Sequence, residues 1–233
     1  MASPGKLAIP KTGGRRPALL ITSERAMDAL TAPGSDFDQA AQAGNVVLAM
    51  TPLPWPPSND QPRPTMGTLL PWTSRALLVG KTFAGMRTED MIAAVQWLAA
   101  HNSVDPSKIS AYTDGASGTV LVHAAALEPR IRQITIQGSL STYASVVEAD
   151  VHRNVAESVV PGVLLPYDLD DLLIAIASRR VFVVHPVNGA GDALTEAQFR
   201  NQFARVFRAD QSLGFNRRIT YSADNASEPS TSK

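Results

Sequence analysis

A chain of 233 residues is long enough for one substantial α/β domain with a continuous core, and too short for two of that kind. Lysine plus arginine balance aspartate plus glutamate at 21 each with no basic run, so the sequence shows no electrostatic footprint for nucleic acid. The absence of cysteine excludes disulfides, thiol nucleophiles and thiolate metal sites but leaves the compartment open.

No segment approaches the roughly 18 to 20 apolar residues of a membrane span, and the first six residues lack an apolar signal-peptide core, so a soluble chain without a membrane partner is expected. In chain order, residues 17–22 and 45–50 read as β-branched strands. Residues 51–75 carry Pro52, Pro54, Pro56, Pro57, Pro62, Pro64 and Pro71, with Trp55 and Trp72 near the two ends. Each proline fixes φ and removes a backbone donor, so this segment is expected as a long loop over the sheet edge. Residues 88–101 place Met91, Ile92, Val95, Leu98 and Ala99 on one helical stripe, with Thr88 as N-cap and Asp90 in the first turn.

A strand over 108–112 leads through a sharp turn to a helix over 116–127 built of small residues, which suits close packing on central strands. Strands follow at 131–137 and 180–185, with a sixth at 218–222, and helices are expected over 168–178 and 195–209. Residues 224–233 read as a frayed, disordered tail, leaving one domain over 1–223. The alternation predicts an α/β three-layer sandwich, a mostly parallel sheet with helices on both faces.

Three flanking segments narrow that reading. They are Gly85-Met86-Arg87-Thr88-Glu89-Asp90 at a helix start, Asp105-Pro106-Ser107-Lys108-Ile109 entering a strand, and Ala125-Ala126-Leu127-Glu128-Pro129-Arg130-Ile131 leaving the next helix. Together they resemble the α/β-hydrolase superfamily, in its acetylxylan-esterase and prolyl-oligopeptidase-like branch, where such flanks surround a Gly-x-Ser-x-Gly nucleophile elbow. The resemblance implies a serine-type carboxylic-ester hydrolase that uses neither cofactor nor metal.

It also implies where the nucleophile belongs: six residues after the strand-opening Ile109 and thirteen before Glu128, which is Gly115 by either count. Thr113, Asp114, Gly115, Ala116 and Ser117 therefore occupy a degenerate elbow, and glycine has no Oγ to present. Ser117 is the alternative nucleophile. Two residues along a helix is a rotation of about 200°, so it is expected to point away and to bond local backbone.

In the resemblance the acid follows the strand at 180–185, where Asn188 stands with Asp192 four residues on, and no histidine follows His185. His185 sits at a strand's carboxyl end, where open α/β sheets bind ligands. His101 reads as a helix-end charge, His123 as packed and His152 as a surface residue. No histidine pair or glycine spacing supports a metal or nucleotide, and Asp168-Leu169-Asp170-Asp171 reads as a solvated helix start.

Three functions compete. The chain is a catalytically degenerate hydrolase domain kept for binding or support, beside a companion hydrolase domain outside this sequence. Alternatively it is an active esterase using Ser117 with His185 and Asp192. The third reading is a carbohydrate or small-molecule binder that stacks its ligand on Trp55, Trp72 and Tyr143. Oligomeric state is not legible.

Overall fold

The computed structural model describes residues 4–11, 13–23, 25–52, 70–215 and 218–222. Seven strands make one sheet: β1 (Gly5–Ala8), β2 (Arg16–Thr22), β3 (Val46–Met50), β4 (Val104–Asp114), β5 (Ile131–Gln137), β6 (Arg180–Val184) and β7 (Ile219–Ser222). Their order is β1-β3-β2-β4-β5-β6-β7, with β1 antiparallel to β3 and every other neighbouring pair parallel. The step from β2 to β3 goes one way along the sheet, and the step from β3 to β4 returns across β2. The carboxyl ends of β2 and β4 therefore form the topological switch point, the place where open α/β sheets leave a crevice.

Nine α-helices occur among the described residues: α1 (Met27–Leu30), α2 (Asp36–Gln42), α3 (Leu70–Leu78), α4 (Phe83–Ala100), α5 (Ser117–Leu127), α6 (Ala144–Glu148), α7 (Leu169–Ala175), α8 (Glu196–Gln202) and α9 (Ala204–Ser212). The main core joins β2, β4, β5 and β6 to α4, α5, α7 and α9 through residues such as Leu20, Met91, Leu121, Ile134, Leu173 and Val206. A second cluster on the other face packs Leu19, Ile21, Val47, Ala49 and Tyr112 against Leu30 and Phe37 of α1 and α2. Helices thus cover both faces, giving the expected three layers.

The six expected strands are present within a residue or two, except that β4 starts at Val104 and accommodates Pro106 by a shift of register against β2. The antiparallel edge strand β1 was not anticipated. Helix α4 begins five residues earlier than expected, because the Thr82 side chain accepts from the Gly85 amide and caps it. Thr88 is therefore no N-cap; it lies buried inside the helix and donates to the Ala84 carbonyl, and Asp90 falls beyond the first turn. The segment over 51–75 is not loop throughout: α3 starts at Leu70, with Pro71 in the first turn, where a missing N–H breaks no helical bond. The helix over 195–209 is two helices meeting at Phe203.

Two polar devices fix the excursion between β5 and β6. Asp168 caps α7, and its carboxylate also accepts from the amides of Tyr143 and Ala144 at the start of α6, so it is a joint between two helices rather than a solvated helix start. The Arg87 guanidinium of α4 donates to Glu157 at 2.8 Å, in the short 3-10 turn Ala156–Ser158, with side chains only 1% and 9% exposed. Next to it, Ser158 meets the Thr119 hydroxyl of α5.

Candidate functional site

The chain leaves β4 through Gly115 and Ala116 and enters α5 at Ser117. Gly115 adopts φ +61, in the left-handed region that costs a side-chain-bearing residue about 1–3 kcal/mol and costs glycine little. Its amide donates to the Gln137 carbonyl at 2.9 Å and its carbonyl accepts from the Gly118 amide at 3.1 Å, which pins the turn against β5. Among the described residues, and its two chain neighbours aside, a Cβ built on Gly115 would meet no atom within 4 Å. The turn has the shape that holds a side chain out into open space, and glycine places none there.

The same bend recurs along the sheet edge. Gly138 after β5 has φ +61 and His185 after β6 has φ +45, and their amides donate to the carbonyls of Val184 and Ser222 respectively. Three neighbouring strands each end on a left-handed residue that turns the chain off the sheet.

Beside Gly115, at the switch point, Asp114 pairs with the Arg25 guanidinium, Nε to carboxylate, at 2.9 Å. Ser23 Oγ accepts from both the amide and Nε of Arg25, so the arginine is held from two sides. Burial raises the Asp36 carboxyl above the ordinary aspartate range; Arg25 opposes that rise and Asp114 adds to it. The Tyr112 hydroxyl donates to Gln137 Oε1 at 2.8 Å, and burial first, then Asp36 and Asp114, push its pKa up. These groups carry two carboxylates and one guanidinium, a poor setting for stabilising a developing oxyanion.

Ser117 is fully buried and its Oγ has no hydrogen-bond partner among the described residues, so the expected bond to local backbone is not made and the side chain does not face solvent. Thr113 is likewise fully buried. Asn188 spends its side chain on its own turn, where Oδ1 accepts from the amides of Ala190 and Asp192 at 3.0 and 2.9 Å. Asp192 is exposed in the same turn. No hydrogen bond links Ser117, His185 and Asp192 among the described residues, so the structure does not bring that trio together as a triad.

The other histidines are occupied structurally. His152 Nε2 bonds the Val146 carbonyl and His101 Nδ1 accepts from the Ser103 amide. His123 Nδ1 lies 2.7 Å from the Thr119 carbonyl, which can only accept, so Nδ1 carries the proton and Nε2 accepts from the Tyr167 hydroxyl at 2.9 Å. Burial holds its pKa below the usual histidine value, and the Thr119 bond opposes this. Below about pH 6.5 the unfolded chain takes up a proton that folded His123 refuses, so this contribution to stability, whole above that pH, declines as pH falls toward the lower folded value. Urea unfolding of the parent and His123→Gln should therefore converge in stability from about pH 7.5 down to about pH 5.5. Parallel pH profiles would contradict the assignment.

Among the described residues, Trp72 and Tyr143 belong to separate clusters and form no common platform. Trp55 lies outside the described residues. Trp72 packs on Ala76 and Phe83 with the Arg75 guanidinium 5.0 Å from its ring. Tyr143 is 5% exposed, packed with Val163 and Leu169, and so offers no stacking surface. Conversely Ser23, Arg25 and Asp36 carry no motif; only the strand order, which makes β2 and β4 neighbours, brings them to Gly115.

No protein-family model matches this sequence, and neither does any curated protein sequence. Solved structures do match. A Bacteroides fragilis protein described as a candidate acetyl xylan esterase superposes with TM-score 0.71 at 15% identity over 94% of this chain and 62% of its own. Acetyl xylan esterase 1 from Thermoanaerobacterium sp. gives 0.59 at 16% identity, over 94% and 71%. A candidate dienelactone hydrolase from Klebsiella pneumoniae gives 0.54 at 12%, over 94% and 78%. The fold is that of the α/β hydrolases, and the chain spans about 62% of the Bacteroides protein's length.

Proposed function

We propose that this chain is an α/β-hydrolase-fold domain that does not hydrolyse esters and that serves as a binding or supporting unit. One observation carries the reading: Gly115, with φ +61 and open space where its Cβ would be, occupies the strand-to-helix turn from which this fold presents a nucleophile. Three others support it. Asp114 puts a carboxylate beside that turn, Asn188 is tied up in its own loop, and no histidine follows His185 within these 233 residues. A neutral amide cannot stabilise an imidazolium as a carboxylate does.

Ser117 does not rescue the chemistry, since a fully buried hydroxyl cannot reach an ester carbonyl without the turn being rebuilt. Hydrolysis of p-nitrophenyl acetate should match the buffer blank for the parent and remain unchanged in Ser117→Ala. Turnover in the parent that Ser117→Ala abolishes would overturn the reading.

A further inference from the structure

Just past β5, two hydroxyls are buried without a bond to the protein around them. Ser139 and Ser141 are 3% and 4% exposed, and neither Oγ has a hydrogen-bond partner among the described residues. Their main-chain groups are well supplied by contrast. The Val187 amide donates to the Ser139 carbonyl and the Ser141 amide donates to the Val187 carbonyl, both at 2.8 Å. That bridge holds residues 139–141 extended beside Val187, and in extended backbone residues two apart direct their side chains to the same side. The two hydroxyls therefore share one face.

That face closes on a small cavity. Gly118 in the first turn of α5, Ile136 of β5, Leu173 of α7 and Phe203 line it together with both serines. A Cβ on Gly118 would lie 2.2 Å from Ser139 Oγ, so α5 sits directly against that hydroxyl and leaves it little room to swing toward another partner. The space open to the centre of a water molecule is about 20 Å³. One water requires roughly 10–15 Å³ on the same measure, together with at least two polar partners.

We infer that this cavity binds a single structural water molecule, which bonds Ser139 Oγ and Ser141 Oγ and fills the space between β5, α5 and α7. Leaving two buried hydroxyls unbonded is costly, and folded proteins commonly meet that cost with an ordered water. The volume suits one water and not a chain of them. The lining also selects against an ion: apart from two neutral hydroxyls it is apolar, whereas a calcium-sized cation takes six or more oxygens and any buried charge needs an opposite one. The site does not depend on the reading of Gly115.

Urea unfolding of the parent, Ser139→Ala, Ser141→Ala and the double variant tests the inference through the sign of the change. A hydroxyl bonded to water gives up that bond on replacement, so each single variant should lower the midpoint by roughly 0.2–0.7 M. Because both bonds go to one water, the double variant should lose less than the sum of the singles. Dry hydroxyls would behave oppositely, since alanine would remove a desolvated, unbonded group and raise the midpoint. An unchanged or raised midpoint in either single variant, or additive losses in the double, would overturn the inference. The parent gives a second reading that needs no variant. A crystal structure that resolves ordered solvent should show one peak about 2.5–3.0 Å from both Oγ atoms, and the lack of a peak there would overturn the inference as well.

Discussion

Replacing Glu157 with alanine should destabilise the domain by about 3–5 kcal/mol, the usual cost of removing one partner from a buried ion pair. The loss is large because Arg87 is 1% exposed and faces Phe83 on its other side, with the guanidinium carbon 5.3 Å from the ring, so its charge cannot turn to water. Desolvation, not the strength of the bond, sets the size of the effect. Arg87→Met/Glu157→Leu should therefore be far closer to the parent than either single variant, since filling both positions with apolar volume removes both buried charges together. Urea unfolding midpoints of the four proteins give the comparison directly. If the double variant were as unstable as Glu157→Ala, the pair's geometry would matter more than its burial.

Gly118→Ala should cost about 3 kcal/mol, at the upper end of ordinary overpacking. A Cβ there would lie 2.2 Å from Ser139 Oγ, 2.4 Å from its Cβ and 2.5 Å from Ile136 Cγ2, all on or just past β5. These atoms cannot all retreat, because Ile136 sits in the main core and Ser139 is buried. Helix α5 would have to lift from the sheet, moving the turn at Gly115 with it. By contrast Gly115→Ala meets no neighbour among the described residues and should cost only its backbone strain, about 1–3 kcal/mol. Thermal unfolding of the two variants should rank them in that order, and a reversed order would mean that α5 is not seated as described.

Much of this fold is legible in the residues. β5 alternates Ile134 and Ile136 toward the main core with Gln133, Thr135 and Gln137 on the other face, and that period is visible in the string alone. The strand-to-helix turn at Gly115 is reached by counting from Ile109 and from Glu128, because both flanks belong to the same strand-turn-helix unit. Thr88 misled for a physical reason: it precedes an apolar stripe as a cap would, but Thr82 caps first and the helix runs through.

β1 was hidden because four residues at an edge carry too little pattern. The pair Arg25 and Asp114 is separated by 89 positions and needs the strand order to be seen.

Gly115 remains the feature on which the functional account turns. The fold supplies the turn, the open space above it and the neighbouring helix start, and the residue supplies no nucleophile. The most direct measurement is the intact mass of the parent protein after exposure to excess fluorophosphonate. The account predicts an unmodified mass under conditions that saturate an active serine hydrolase, and a stoichiometric single adduct on any serine of this chain would contradict it.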